Sequence, residues 1–148
     1  MKFARIVFAV AGLYGLVTLV PTYFLETRIG VADPPAITHP EYFYGFLGVA
    51  LAWQIMFLLI AFEPRRHRPA MLAAFVEKLG FGGAALGLFI AHRIQPAVFA
   101  LGLVDLALGG LFLISYLATA RAGHVARAKA PATPIAARGS RSAARIEP

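Results

Sequence analysis

Long uninterrupted apolar runs, rather than alternating polar and apolar positions, dominate the first half of the chain. Residues 6–25 and residues 42–62 contain no charged side chain. An α-helix rises about 1.5 Å per residue, so about 20 apolar residues cross the roughly 30 Å of hydrocarbon in a bilayer. We therefore predict a first and a second membrane-spanning helix, at about residues 4–25 and 42–62.

Two further apolar stretches each contain charged residues near their middle. The stretch at about residues 69–91 is interrupted by Glu77 and Lys78, and the stretch at about residues 96–120 by Asp105. Neither half of an interrupted stretch is long enough to cross a bilayer alone, so each stretch must cross as one helix that carries its charge inside. These two stretches are the predicted third and fourth spans.

The predicted fold is all-α: a bundle of four transmembrane helices over residues 1–120, followed by a basic tail over residues 121–148. The tail is rich in Ala, Arg, Pro and Ser. Such a composition buries too little apolar surface to fold, so we predict that the tail is disordered beyond its first turn or two. At the start of the second span, Thr38 and Glu41 have capping-box spacing, which predicts Thr38 as the N-cap.

Positive charges are concentrated on one side of the predicted spans. Of the 14 Lys and Arg residues, 11 precede the first span, lie between the second and third, or follow the fourth. Because Lys and Arg are enriched in cytoplasmic segments, we predict that both termini are cytoplasmic. Lys2 and Arg5 before an apolar run also fit a signal peptide, but the run is longer than a usual signal-peptide core, which favours a retained helix.

Composition argues against a soluble enzyme or a nucleic-acid-binding module. Of the 148 residues, 59% are apolar and only 14% are charged, whereas soluble domains average about 25% charged residues. The net charge of +7 falls mainly at the membrane edges and in the tail. This placement predicts contact with anionic lipid headgroups, above all by Arg65, Arg66 and Arg68, rather than binding of nucleic acid.

Four polar side chains share a similar depth in the predicted spans: Gln54, Glu77, Lys78 and Asp105. Counted from the helix ends, they fall within about one and a half helical turns of one another. Charged side chains are costly in hydrocarbon, so they should face the bundle interior, where Lys78 can pair with Asp105 or with an acid of another subunit. Alternatively, one carboxyl group is protonated, because desolvation disfavours its charged form. Glu77 and Lys78 project about 100° apart and are predicted to be poor partners for each other.

Three explanations of this polar group are open from the sequence. It can be an interhelical clamp that fixes packing, or a site for a ligand, a proton or a substrate; a lysine that merely extends to the interface is a third possibility. Trp53 lies beside Gln54 deep in the second span, although tryptophan favours interfaces, so we predict that its indole points inward. The candidate site therefore comprises Gln54, Trp53, Glu77, Lys78 and Asp105.

No motif in the sequence indicates a cofactor or a metal centre. The absence of cysteine excludes a disulfide framework, a thiol nucleophile and thiolate metal sites. His39, Glu41 and His92 lack a metal-ligand spacing. We find no nucleophile–base pair, phosphate loop or nucleotide fingerprint, and thus predict no cofactor, no metal and no identifiable catalytic residue.

Three motifs resemble those of small bacterial four-helix membrane proteins of a loosely DoxX-like kind. They are the segment His39-Pro-Glu-Tyr-Phe-Tyr-Gly-Phe, the pair Glu77-Lys78, and the segment Val104-Asp-Leu-Ala-Leu-Gly. The resemblance covers about residues 3–119 and leaves out the tail. Some DoxX-like proteins are linked to quinone-coupled sulfur oxidation or to membrane redox complexes. The resemblance implies an inner-membrane location in a bacterium and, with no redox centre in this chain, the role of a partner subunit.

Three functions are compatible with these observations. The favoured one is a non-catalytic membrane component that packs with a partner protein or with a second copy. An alternative is a small dimeric transporter, or a protein that binds a lipid or a quinone, through its intramembrane carboxyl groups. The least favoured is a membrane-embedded enzyme that uses the same carboxyl groups as acid and base on a lipid-like substrate.

Overall fold

The computed structural model describes residues 2–32, 34 and 36–129, with side chains as far as residue 120. Over these residues the chain is all-α and has no strand. Five helices follow one another: α1 (Lys2–Thr22), α2 (Glu26–Ala32), α3 (Pro40–Phe62), α4 (Arg68–Ile90) and α5 (Pro96–Lys129). Four of them are long and apolar enough to cross a membrane, namely α1, α3, α4 and the Pro96–Ala120 part of α5. The all-α class and the four apolar helices are thus confirmed.

The observed helices differ from the predicted ones mainly at their ends. The first ends at Thr22, and the separate short helix α2 follows it, which the hydropathy pattern did not predict. The last helix continues to Lys129, so the first nine residues assigned to the tail are helical, and the rest of the tail lies outside the described residues. The capping-box prediction was wrong. His39 is the N-cap of α3 without a side-chain cap hydrogen bond, and Glu41 contacts the His39 ring instead.

Helices α1 and α3 pack closely where α1 carries glycine. A Cβ atom added at Gly12 would lie 2.9 Å from the Leu58 side chain and 3.0 Å from the Gln54 carbonyl oxygen. At Gly15 it would overlap the Gln54 side chain. Glycine at both positions therefore allows the α1 backbone to pack directly against α3.

Helices α4 and α5 form a second closely packed pair. A Cβ atom added at Gly102 would lie 2.5 Å from the Ala85 Cβ atom, and one added at Gly82 would lie 2.6 Å from the Leu106 Cγ atom. Nearer the helix ends, the rings of Phe89 and Phe99 stack at 4.1 Å. The pair is antiparallel, since early residues of one helix meet late residues of the other.

Three buried phenylalanines join the two helix pairs. The rings of Phe8 on α1 and Phe112 on α5 stack at 4.1 Å, and Phe57 on α3 packs edge-on against Phe112 at 4.9 Å. All three side chains are fully buried. We call them the aromatic cluster. They fix α1, α3 and α5 to one another in the half of the molecule that contains the α1 N-terminus.

The outer surface of the four long helices is apolar. Large aliphatic side chains on every long helix are more than half exposed, among them Val17, Val49, Val76 and Ile114. Contiguous apolar surface of this extent is unfavourable in water, and it is the surface that lipid tails solvate. The exposed surface is therefore compatible with an integral membrane protein.

Candidate functional site

A cavity of about 310 Å³ lies between the four long helices. It occupies the half of the molecule opposite the aromatic cluster, where the α1–α3 pair and the α4–α5 pair separate. Its walls are predominantly apolar and include the aromatic residues Tyr14, Phe43, Phe46 and Phe81. Tyr14 and Phe46 are also 40% and 52% exposed at the molecular surface, so the cavity is open to its surroundings.

The four polar side chains of similar predicted depth all line this cavity: Gln54, Glu77, Lys78 and Asp105. We call them the polar cluster. The polar cluster adjoins the aromatic cluster, because the Lys78 Nζ atom lies 5.4 Å from the centre of the Phe57 ring. Residues from three helices are thereby brought together, as their similar predicted depth implied.

Lys78 and Asp105 form the strongest contact within the polar cluster. The Lys78 Nζ atom lies 3.0 Å from Asp105 Oδ1 and 3.1 Å from Oδ2, and donates to both. The two side chains are only 8% and 15% exposed. This ion pair links α4 to α5 at a point where Gly109 leaves room for the Lys78 stem, with 3.4 Å between an added Cβ and the Lys78 Cβ. The pairing with Asp105 considered from the sequence is therefore present.

Glu77 is held less completely than Asp105. Its Oε2 atom lies 3.4 Å from Lys78 Nζ, close enough for an ion pair. The same buried oxygen accepts no hydrogen bond from the residues that the structure describes. The prediction that Glu77 and Lys78 are poor partners is wrong only in part. No hydrogen bond joins Lys78 to Glu77 Oε2, but the long lysine side chain reaches back across the 100° between the two positions and brings its ammonium to ion-pair distance.

Gln54 supplies the α3 contribution to the polar cluster. Its side chain is almost fully buried, and its Nε2 group donates to the Ala50 carbonyl oxygen at 2.9 Å. The amide packs against Gly15, where a larger residue would displace it. Gln54 is therefore fixed in place both by its own helix and by α1.

Trp53, the fifth candidate from the sequence, lies outside the cavity lining. Its ring is 6.1 Å from that of Phe57, and it packs against the buried core. The side chain is half-buried, so the expected inward orientation is only partly realised. Trp53 thus adjoins the polar cluster through Phe57 rather than belonging to it.

The three arginines predicted to contact headgroups have different environments. Arg65 and Arg66 are exposed, and Arg66 contacts Glu63 at 3.4 Å. Arg68 is half-buried: its guanidinium lies 3.9 Å from the centre of the Tyr116 ring and donates to the Tyr116 carbonyl oxygen. Arg68 therefore links α4 to α5, a contact that no sequence pattern indicated.

The aromatic walls of the cavity were not anticipated as part of the site. Phe46 on α3 and Phe81 on α4 bring their rings to 6.0 Å, and both line the cavity. In a chain with 12 phenylalanines, composition does not distinguish wall residues from lipid-facing ones. A helical-wheel comparison offers one signal, since Phe81 lies one turn after Glu77 and Lys78 on α4.

The described residues contain no group of three or more His, Cys, Asp or Glu side chains that could hold a metal ion. What the arrangement offers is a mostly apolar cavity with two carboxylates, one ammonium and one amide in its lining. Such a site can hold a molecule that has an apolar body and a polar end. Comparisons with protein-family models, with curated proteins and with solved structures find no match to this chain.

Proposed function

We propose that this chain is an integral membrane protein that binds a small amphipathic molecule in the cavity between its helices. The polar end of the ligand contacts the polar cluster, and the apolar part lies along the aromatic walls. One observation carries the proposal: an apolar cavity of about 310 Å³ is lined in part by a cluster whose Glu77 oxygen is short of a hydrogen-bond donor. The volume lies at the lower end of the range for ligand sites and equals about ten water-sized groups.

A clamp that only fixes helix packing accounts for part of this arrangement. The Lys78–Asp105 pair alone joins α4 to α5. A packing clamp is expected to satisfy its polar atoms and to be surrounded by close-packed side chains. Glu77 is not required for this clamp, its buried oxygen accepts no hydrogen bond from the described residues, and the cavity adjoins it. These two features favour a binding site over a purely structural one.

Asp105 is poorly placed for an enzymatic role as a general acid or base. A general acid or base needs an oxygen that can exchange a proton with the substrate. Both oxygens of Asp105 accept from Lys78. We therefore assign Asp105 to holding Lys78 in place.

For topology, we propose four transmembrane helices with both termini on the cytoplasmic side of a bacterial inner membrane. The Lys and Arg distribution supports the orientation, and the resemblance to DoxX-like proteins supports the location. The chain has no cysteine, so a single introduced cysteine is the only thiol of the protein that a maleimide can label. An impermeant maleimide added to intact cells should label Thr27→Cys and leave Arg66→Cys unlabelled; the reverse pattern would refute the orientation.

A partner subunit is the second candidate function, and one surface favours it. On α4, Gly80, Gly83 and Gly87 have no neighbouring atom of the described residues within 4 Å of an added Cβ, so those residues leave this small-residue surface uncovered. Small residues allow another helix to approach closely in lipid. A second copy of the chain or a membrane partner protein, together with membrane lipids, would then be its neighbour.

The binding proposal is tested with decanol as the probe and protein in lipid nanodiscs. Trp53 is the single tryptophan of the chain and adjoins the polar cluster through Phe57, so its fluorescence reports on the site. Ala50 lines the cavity, and Ala50→Phe should fill it. Ala52 is exposed on the same helix and lies outside the lining, which makes Ala52→Phe a matched control.

Saturable quenching or enhancement of Trp53 fluorescence is expected in the wild type and in Ala52→Phe. The Ala50→Phe variant should lose the saturable component while remaining folded by circular dichroism. A response that is linear in decanol, or equal in both variants, would reflect partition into the bilayer and would refute binding in the cavity.

A further inference from the structure

From the polar cluster we infer that the preferred ligand has a cationic, hydrogen-bond-donating end, such as a primary ammonium. This inference rests on the proposed function, because it specifies which amphipathic molecule the cavity holds. It is carried by two properties of the cluster that both involve Glu77, the balance of donors and acceptors and the balance of charge.

Most hydrogen-bond donors of the cluster are already committed. A lysine ammonium has three N–H groups. Lys78 donates to both oxygens of Asp105, and its ammonium also lies at ion-pair distance, 3.4 Å, from Glu77 Oε2. One of the two N–H groups of the Gln54 amide donates to its own helix. An incoming acceptor would therefore compete with Asp105 for the Lys78 ammonium and find at most the second N–H group of Gln54.

Acceptor capacity, by contrast, is in surplus. Glu77 Oε2 is buried and accepts no hydrogen bond from the described residues, and a carboxylate has about four acceptor sites. A ligand that brings N–H donors would satisfy this oxygen without disturbing the Lys78–Asp105 pair. The hydrogen-bond balance therefore selects a donor over an acceptor.

The net charge of the cluster also favours a cationic ligand. With all groups ionised, the two carboxylates outnumber the single ammonium, and every other residue in the lining is uncharged. In an environment of low dielectric constant, a ligand charge at hydrogen-bond distance from one uncompensated carboxylate has a large electrostatic interaction energy with it. A cation would neutralise it, whereas an anion would add a second uncompensated negative charge.

The aromatic lining is compatible with a cation that enters from the open side. Tyr14, Phe43, Phe46 and Phe81 all border the cavity. Aromatic faces carry a negative potential that attracts ammonium groups. The route to Glu77 is thereby lined with side chains that accept both an alkyl chain and its positive end.

Three probes with the same decyl chain separate charge from apolar fit: decylammonium, decanol and decyl sulfate. Each is titrated into wild-type protein in nanodiscs of zwitterionic lipid, with Trp53 fluorescence as the readout. Each dissociation constant is expressed as a mole fraction of the probe in the bilayer. The concentration of probe in the bilayer is obtained from its partition into empty nanodiscs. Hydrogen bonds to charged groups are strong enough that decylammonium should bind about tenfold more tightly than decanol. Decyl sulfate should bind least tightly, because its negative charge adds to that of the cluster.

The variant Glu77→Gln keeps the shape of the side chain and removes its charge. We expect it to bring the affinity for decylammonium close to that for decanol, so that the preference for the cation is lost. Glu63→Gln is the matched control, because Glu63 lies on an exposed helix end and contacts Arg66 outside the cavity. It should retain the full preference for decylammonium.

The outcomes distinguish this inference from the proposal beneath it. Equal wild-type affinities for decylammonium and decanol, or tighter binding of decyl sulfate, would refute the cationic ligand and leave the cavity as a binding site. Insensitivity of all three probes to Ala50→Phe would refute the binding site itself. The wild-type comparison needs no variant, so it is decisive even if Glu77→Gln fails to fold.

Discussion

Lys78 is the residue on which the arrangement of charges depends. Its ammonium is shared between Asp105 on the neighbouring helix and Glu77 on its own, and only 8% of its side chain is exposed. An ammonium buried to this degree is tolerated because two carboxylates surround it. Conversely, both carboxylates rely on this one cation, since the other described residues around the cavity are uncharged.

Replacing Lys78 should therefore destabilise the protein strongly. Lys78→Met leaves two buried carboxylates without a counter-charge, and removal of one partner from a buried pair costs about 3–5 kcal/mol. The double variant Lys78→Met with Asp105→Leu removes the whole pair and should be at least about 1 kcal/mol more stable than Lys78→Met alone. Unfolding by sodium dodecyl sulfate in mixed micelles measures both differences. A double variant less stable than the single one would contradict the pairing.

At this scale, sequence reasoning found the members of the polar cluster but not all their contacts. Helical rise alone placed Gln54, Glu77 and Asp105 at a similar depth, because a straight helix converts residue count directly into depth. The contact of Glu77 with Lys78 was missed, since Cβ directions do not limit where a long side chain ends. The contact of Arg68 with Tyr116 depends on how α4 and α5 are aligned, which one sequence does not specify.

Glycine positions determine how closely the helices approach within each pair. Some glycines face a neighbouring helix and others face outward, although they look alike in the sequence. On α5, Gly102 faces Ala85, whereas Gly110 has no atom within 4 Å of an added Cβ. The two residues therefore form a matched pair on one helix.

Alanine at these two glycines should have opposite effects on stability. Gly102→Ala places two methyl groups 2.5 Å apart, so the α4–α5 pair must separate, at a cost of about 1–3 kcal/mol. Gly110→Ala meets no neighbour and should be neutral or stabilising by up to about 1 kcal/mol, because alanine favours the helix. Thermal unfolding in detergent compares them. Equal melting temperatures would show that α4 and α5 are not packed at Gly102.

Hydropathy predicted the long helices well and the short elements poorly. The spans were predictable because a bilayer requires a long apolar run, and such runs are unambiguous in this chain. Helix α2 is seven residues long, too short for any apolar period to emerge. The capping-box prediction failed because Pro40 takes the first helical position and makes His39 the N-cap, leaving Thr38 outside the helix.

At the scale of the whole molecule, the two helix pairs are joined at one end and separated at the other. The aromatic cluster of Phe8, Phe57 and Phe112 holds them together. Where the pairs separate, the cavity extends down to the polar cluster. The depth of the polar residues was predictable from the sequence, but the cavity was not. A cavity depends on how the surfaces of four helices fit together. Apolar side chains line a cavity wall and a close-packed interface alike, so composition does not distinguish the two.

A structure with a heavy-atom ligand tests the central claim most directly. The claim is that the cavity holds an amphipathic molecule with its polar end at the polar cluster. Crystals grown in a lipidic phase with decanol brominated on its terminal carbon would locate the chain by the anomalous signal of bromine. We predict a bromine peak at the open side of the cavity near Tyr14 and Phe46, with the hydroxyl group within hydrogen-bond distance of Glu77. Bromine peaks confined to the lipid-facing surface, with the cavity empty, would contradict it.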